Sequence, residues 1–345
     1  MTIMVIAGAG ASFDSIPSRR PGAVAHPSRP PLGDDLFAAR EMFETMQREM
    51  PHVMQIVPFL QDRADGESVE DVLARFAAQV ETNRHREIQL AAARFYIQAI
   101  IWHIEQAWYR ERPVPTNMMA LLDQIEAARG NRTRPVFVTF NYDRLIEHAL
   151  ENRGQHFGTL DDYVRPGATN VFKLHGSVNW ARPVGLYDIN AHGGLPWEVA
   201  RHICNRAADF RPTGSFRIQD DVPLARIQQT LTIPAIAIPL KKKTTFECPE
   251  DHVARLREQL KHVRAIVTIG WRGAEQHFLR LLGEHALQGI EVICVGGDAR
   301  DATATTHALS NALSRPNVEP VGGGFSKFVT SGGIERLLNL AWRFE

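Results

Sequence analysis

Cysteine is scarce in this chain: the 345 residues hold only Cys204, Cys248 and Cys294, and no two of them form a CxxC pair. That argues against a disulfide framework and a structural zinc ribbon, and it fits a reducing, cytoplasmic setting with no metal expected. Long apolar runs are missing as well. No stretch approaches the roughly 18 to 20 uninterrupted apolar residues that a membrane span needs, so the chain should be soluble and make no membrane contact. Nor is there an excess of one charge. Lysine plus arginine and aspartate plus glutamate each total 39, so no overall field draws the chain to nucleic acid, and direct nucleic-acid binding is not expected. Internal repeats and low-complexity tracts are absent too, which excludes a solenoid or a disordered tail.

What is present is a conventional globular composition, 44% hydrophobic, arranged in blocks. Thr2 to Ala7 is apolar and runs without a basic leader into Gly8-Ala9-Gly10-Ala11-Ser12, so it reads as a first strand followed by a glycine-rich turn. Pro17, Pro21, Pro27, Pro30 and Pro31 then predict a long surface loop. From Asp34 to about Arg129 the spacing of apolar residues is helical, most clearly over Ser68–Val80 and Glu87–Tyr109, with Ser68 and Asp71 in capping-box positions. Strand-like runs at Val136–Phe140, Val171–Leu174, Ala235–Leu240, Ala265–Ile269 and Glu291–Val295 alternate with helical patterns at Tyr142–Glu151, Asp251–His262, Ala274–Gln288 and Ala302–Leu313. This alternation predicts an α/β fold: a Rossmann-like, doubly wound, mostly parallel sheet. Residues 1–33 and 130–345 would form it, with 34–129 an inserted helical lobe. Residues 183–232, broken by His192-Gly193-Gly194 and Arg211-Pro212-Thr213-Gly214, read as a further insertion without assigned structure.

Ligands of open α/β sheets bind outside the carboxyl ends of the strands, so polar residues there are the candidates. Gly8, Ala9 and Gly10 could let the backbone approach a pyrophosphate, with Ser12 adding a hydroxyl; a tight strand-to-loop turn would use glycine equally well. Thr139, Asn141 and Asp143 end the second strand, where they could face a ligand or cap the next helix. His175 follows the third and could serve as a general base or as a structural histidine. Gly270 and Asp298 end later strands and are either ligand neighbours or ordinary turn residues. Lys241-Lys242-Lys243 suits a solvated loop or a phosphate contact. Trp102 and Trp108, in the helical block, read as internal packing or as a subunit or partner surface.

The order Gly8-Ala9-Gly10-Ala11-Ser12, then Thr139-Phe140-Asn141-Tyr142-Asp143, then Lys173-Leu174-His175-Gly176-Ser177 resembles the sirtuin superfamily. Ile269-Gly270-Trp271 and Val295-Gly296-Gly297-Asp298 extend the likeness over most of the chain. The resemblance implies NAD as substrate, with Asn141 and His175 catalytic and Gly8, Ala9, Gly10, Ser12, Thr139, Asp143, Gly270 and Asp298 around the dinucleotide. Two departures stand out: the four-cysteine zinc module of deacetylating sirtuins is missing, and Ser15-Ile16-Pro17 leads to Ser18-Arg19-Arg20 in place of the family's G-I-P-D-F-R. With the helical block between the first two motifs, the chain resembles the sirtuin-like NAD-consuming effectors of bacterial anti-phage systems. That implies hydrolysis of NAD to nicotinamide and ADP-ribose, a homo-oligomer, and a HerA-like ATPase or short Argonaute as partner. Protein ADP-ribosylation or deacylation, and non-catalytic sensing of NAD or ADP-ribose, are the alternatives.

Overall fold

The computed structural model describes residues 2–16, 29–38, 42–110, 115–129, 134–185, 194–209, 211–228, 230–238 and 245–342. The proline-rich stretch from Pro17 to Pro27, His192-Gly193 and Lys241-Lys242-Lys243 lie outside them. Among the described residues no helix is long and apolar enough to cross a membrane.

Six parallel strands form the main sheet: β1 (Thr2–Ala7), β2 (Val136–Thr139), β3 (Val171–Lys173), β8 (Val263–Ile269), β9 (Glu291–Val295) and β10 (Asn317–Val321). Their spatial order is β3-β2-β1-β8-β9-β10. Counted in chain order this is 3-2-1-4-5-6, the doubly wound Rossmann order, whose direction reverses between β1 and β8. Helices cover both faces, so the strands must be apolar on both. Hence β2 is buried at every position and β8 at all but Arg264, and Phe137, Phe172, Ile266, Val267 and Ile293 form the core between the helical layers. The register aligns Lys173, Thr139, Ala7, Ile269 and Val295 across the sheet with Val321 at its edge. Every strand therefore ends at one level, and the residues that follow, including Gly8, Phe140, Leu174 and Gly270, form a single rim.

A second core lies beside this sheet. Four antiparallel strands, β4 (Gly176–Pro183), β5 (Arg217–Ile218), β6 (Arg226–Ile227) and β7 (Thr230–Ile236), pair in the order β5-β4-β7-β6. The helix Arg84–Glu105 packs on β4 and β7, on the short helices Pro51–Met54 and Val69–Ala78, and on the helix Pro196–Asn205. It is surrounded, which explains why its residues from Leu90 to Ile104 are mostly apolar all round. Asn83 caps its start by accepting from the His85 amide at 3.1 Å. The Ser68–Asp71 capping box forms as the spacing predicts, with Asp71 N–H donating to Ser68 Oγ at 3.2 Å and Ser68 N–H to Asp71 Oδ2 at 3.0 Å.

Three readings change. The strand expected at Ala235–Leu240 in the parallel series is instead β7, ending at Ile236 in the antiparallel sheet. Its apolar run cannot reveal which sheet will take it, because both bury both faces. Residues 183–232, left without structure, supply β5, β6, part of β7 and the helix Pro196–Asn205 that closes the second core. β10 had no strand signal, because Asn317-Val318-Glu319-Pro320-Val321 is a half-exposed edge, where a proline and a charge are tolerated. The helix Asn117–Arg129, although within 34–129, buries Met118, Leu121, Leu122 and Ile125 in the core of the parallel sheet.

Candidate active site

The site lies where the strand order reverses. There the turn after β1 and the turn after β8 interlock without side chains. A Cβ on Gly8 would meet Gly270 O at 2.5 Å, one on Gly10 would meet Gly270 Cα at 2.7 Å, and one on Gly270, at φ +57°, would meet Gly10 Cα at 2.4 Å. Gly8 N–H donates to Ile269 O at 3.0 Å and Gly10 N–H to Gly270 O at 3.1 Å. Both amides are committed to the neighbouring strand end. In this structure the glycines serve the close approach of the two turns, and Gly270 is the third member of that contact.

Three side chains then join the first two strand ends. Asn141 Nδ2 donates to Gly8 O and to Ser12 Oγ, both at 2.8 Å, and Ser12 Oγ donates to Asp143 Oδ2 at 2.6 Å. The Gly8 carbonyl can only accept, so the Asn141 amide must face it with its nitrogen, which fixes the orientation of the group. Both N–H bonds of Nδ2 are then used, and Ser12 receives one while giving its own to Asp143. Among the described residues no donor is bonded to Asn141 Oδ1, which leaves that oxygen to accept from whatever enters. Thr139 Oγ1 binds Ala7 O at 3.1 Å and receives the Asn141 amide at 3.1 Å, so it shapes the turn. Asp143 also accepts from Leu145 N–H at 3.2 Å with Oδ1, just ahead of the helix Leu145–Glu151, while it holds Ser12.

Ser12, Thr139, Asn141 and Asp143 line one cleft with an apolar wall that includes Met118 and Phe325. Burial pushes the Asp143 carboxyl above the usual carboxylate range, opposed by the Lys173 ammonium and the Ser12 hydroxyl. Spacing did not single out Lys173. It is fully buried, pairs with Glu147 Oε1 at 3.0 Å and donates to the Asp143 carbonyl; Tyr163 OH donates to the same Glu147 oxygen at 3.2 Å. A charged residue inside a short apolar strand was the available signal.

His175 stands one strand over. Its ring packs edge-on to Phe140 with centroids 4.9 Å apart, and Phe140 stacks on Trp271 at 5.6 Å. It is 7% exposed and is not among the residues lining the cleft. The next residue, Gly176, has φ +82°, and a Cβ there would lie 1.7 Å from Ala235 O, so the glycine lets the chain pass β7. Asp298 sits apart, exposed, accepting from the Asp301 amide at 2.8 Å as the cap of the helix Ala299–Ala312. The structure thus brings Gly8, Gly10, Ser12, Thr139, Asn141, Asp143 and Gly270 together, puts His175 beside them, and leaves Asp298 in a capping role.

Strand order and the interlocked turns define a Rossmann-type α/β protein with a polar site at its switch point. Residues 135–209, which contain Thr139, Asn141, Asp143 and His175, match the family model of the SIR2-like domain. Solved structures similar to the chain include a Sir2 enzyme (13% identity, TM-score 0.39, covering 100% of this chain and 94% of that one). Others are a Sir2 homologue in complex with ADP-ribose (14%, TM-score 0.40, 100% and 94%) and a Sir2 protein bound to a propionylated peptide (13%, TM-score 0.37, 97% and 93%). No curated protein matches the sequence.

Proposed function

We propose that the protein is an NAD hydrolase that cleaves the nicotinamide N-glycosidic bond, releasing nicotinamide, ADP-ribose and a proton. The observation that carries this reading is the directed chain Asn141→Ser12→Asp143 at the switch point, two of whose members, Asn141 and Asp143, lie in the segment that matches the SIR2-like domain. It leaves one oriented acceptor, Asn141 Oδ1, facing a cleft at the position where a Rossmann fold holds a dinucleotide. Breaking the bond creates an oxocarbenium-like ribose that water must trap. Asn141 Oδ1 accepts from the attacking water and so aims its lone pair at the sugar. Water oxygen bonds to the anomeric carbon, nicotinamide leaves with the bonding pair, and the water proton passes to His175 or to solvent. Asp143, the carboxyl group among the residues lining the cleft, faces the developing positive charge.

The lack of a four-cysteine module favours hydrolysis over transfer to a protein. Cys204 and Cys248 are buried in different cores, so the two do not come together in one site. By the same resemblance we read the chain as an NAD-depleting effector of anti-phage defence, assembled as a homo-oligomer or with a HerA-like ATPase or short Argonaute. The test is cleavage of a fluorogenic NAD analogue by wild type, Asn141→Ala and His175→Ala, with mass spectrometry of the products. Loss of cleavage in both variants is expected. Cleavage that persists in both, or label accumulating on protein, would overturn the hydrolase mechanism.

A further inference from the structure

The long helix Arg84–Glu105 carries a polar stripe through an otherwise apolar core. Gln98, Trp102 and Glu105 are spaced by four and three residues and so share one face. Gln98 donates to Val178 O at 3.0 Å and Asp221 O at 2.9 Å, and accepts from Leu224 N–H at 3.1 Å. Trp102 Nε1 donates to Asp220 Oδ1 at 3.3 Å. Glu105, the last residue of the helix, reaches out of this core to the other one. It accepts from the Arg144 amide at 2.9 Å, from Arg144 Nε at 2.8 Å, and from His148 Nε2 at 2.9 Å. Arg144 also pairs with Asp220 at 3.1 Å.

Helix stability does not account for Glu105. A carboxylate at a helix C-terminus opposes the macrodipole, and this one is 1% exposed on its side chain, where an isolated charge is costly. Only its donors compensate: burial works against its charge, yet the His148 and Arg144 bonds hold the carboxyl at about 2. All of those donors belong to the segment that follows the candidate site. Arg144 is the residue after Asp143, and its backbone N–H is itself one of the bonds.

We infer that Glu105 is a positioning residue: through Arg144 it holds the Asn141–Asp143 turn in its bonded arrangement, and it makes that turn answer to the placement of the helical lobe. This rests on the NAD-hydrolase reading. Glu105→Gln removes the charge and one of the two acceptor oxygens, so the Arg144 amide and Nε are no longer both held and the guanidinium keeps its pair with Asp220; the anchor of the turn on the lobe helix is weakened. The Asn141→Ser12→Asp143 chain then forms part of the time instead of all of it. Substrate still enters the cleft, but a smaller fraction of complexes has Asn141 aimed at water. The effect therefore falls on kcat more than on KM.

The test uses the full chain with Glu105→Gln, and with Arg201→Gln as a control that breaks the ion pair between Glu49 of the lobe and Arg201 of the helix Pro196–Asn205. Three readouts are taken: steady-state cleavage of NAD, calorimetric binding of ADP-ribose, and amide hydrogen exchange over residues 139–148. Glu105→Gln should lower kcat by about tenfold or more, leave KM within about twofold, and speed exchange over 139–148. The control should change none of these. A purely structural role predicts lower thermal stability with unchanged kcat per folded molecule, and that result, or unchanged exchange, would overturn the inference. Wild type that neither cleaves NAD nor binds ADP-ribose would overturn the hydrolase reading instead, because the exchange rates still decide whether Glu105 holds the turn.

Discussion

Replacing Lys173 with methionine isolates the least conventional feature of the site, a lysine with no solvent exposure inside a parallel strand. Its ammonium meets Glu147 Oε1 at 3.0 Å, and the Glu147 side chain is 2% exposed. Methionine matches the shape of the stem but removes the charge, so Glu147 keeps one donor, Tyr163 OH, on Oε1, while its Oε2 is buried without a partner among the described residues. Removing one member of a buried ion pair costs about 3 to 5 kcal/mol, because the other charge is left uncompensated. Neutralising both members should restore most of that. In Lys173→Met/Glu147→Gln the amide oxygen still accepts from Tyr163, and the variant should unfold within about 2 kcal/mol of wild type. Denaturant unfolding, followed by fluorescence and circular dichroism with coincidence of the two transitions required, measures both differences. ADP-ribose binding supplies the second arm. Lys173 also donates to the Asp143 carbonyl and holds the Asp143 carboxyl down against burial, and the double variant restores neither effect. Its affinity should stay weak although its stability returns. A single variant within about 1 kcal/mol of wild type, or a double variant no more stable than the single one, would refute the reasoning.

Three further outcomes are expected. Gly270→Ala places a Cβ 2.4 Å from Gly10 Cα at a left-handed φ of +57°, so the two switch-point turns must separate; ADP-ribose titration should show loss of binding even where circular dichroism shows a folded chain. Gly176→Ala combines φ +82° with a contact of 1.7 Å to Ala235 O, and should cost at least about 3 kcal/mol or prevent soluble expression, as judged by melting temperature and yield. Stability should also depend on pH through Glu105. Its folded value of about 2 lies below the ordinary 4.5, so its contribution is present above about 4.5 and disappears as pH falls toward about 2. His148, where burial is outweighed by its bonds to Glu105 and Glu151 and the imidazole is raised from 6.5 to about 9, contributes below 6.5 and loses that contribution as pH rises through about 9. Unfolding free energies from pH 3 to 10 should therefore flatten at the acid end in Glu105→Gln and at the alkaline end in His148→Gln.

Much of the parallel sheet was legible because burial on both faces forces its strands to be apolar throughout. Val136–Phe140, Val171–Leu174, Ala265–Ile269 and Glu291–Val295 announce themselves in this way, and the polar residues that follow mark the carboxyl rim. The Ser68–Asp71 cap is equally local, since its donors and acceptors lie three residues apart. β7 and β10 show the limits. The first is an apolar run that the antiparallel sheet captured, and the second is a half-exposed edge whose composition carries no signal.

Hydrophobic periodicity and turn chemistry act over a few residues, and they suffice to make this an α/β chain with Asn141, Asp143 and His175 at strand ends. Tertiary structure decided what those residues touch. The placement of β1 between β2 and β8 set Ser12 against Asn141 and Asp143, over separations of more than 120 residues. It also turned Gly8, Gly10 and Gly270 into one interlocking contact, and brought Glu105 and Lys173 into the charge network behind the turn. A buried charge reveals its purpose only through its partner, and for Glu105 and Lys173 the chain brings that partner from another element of the fold.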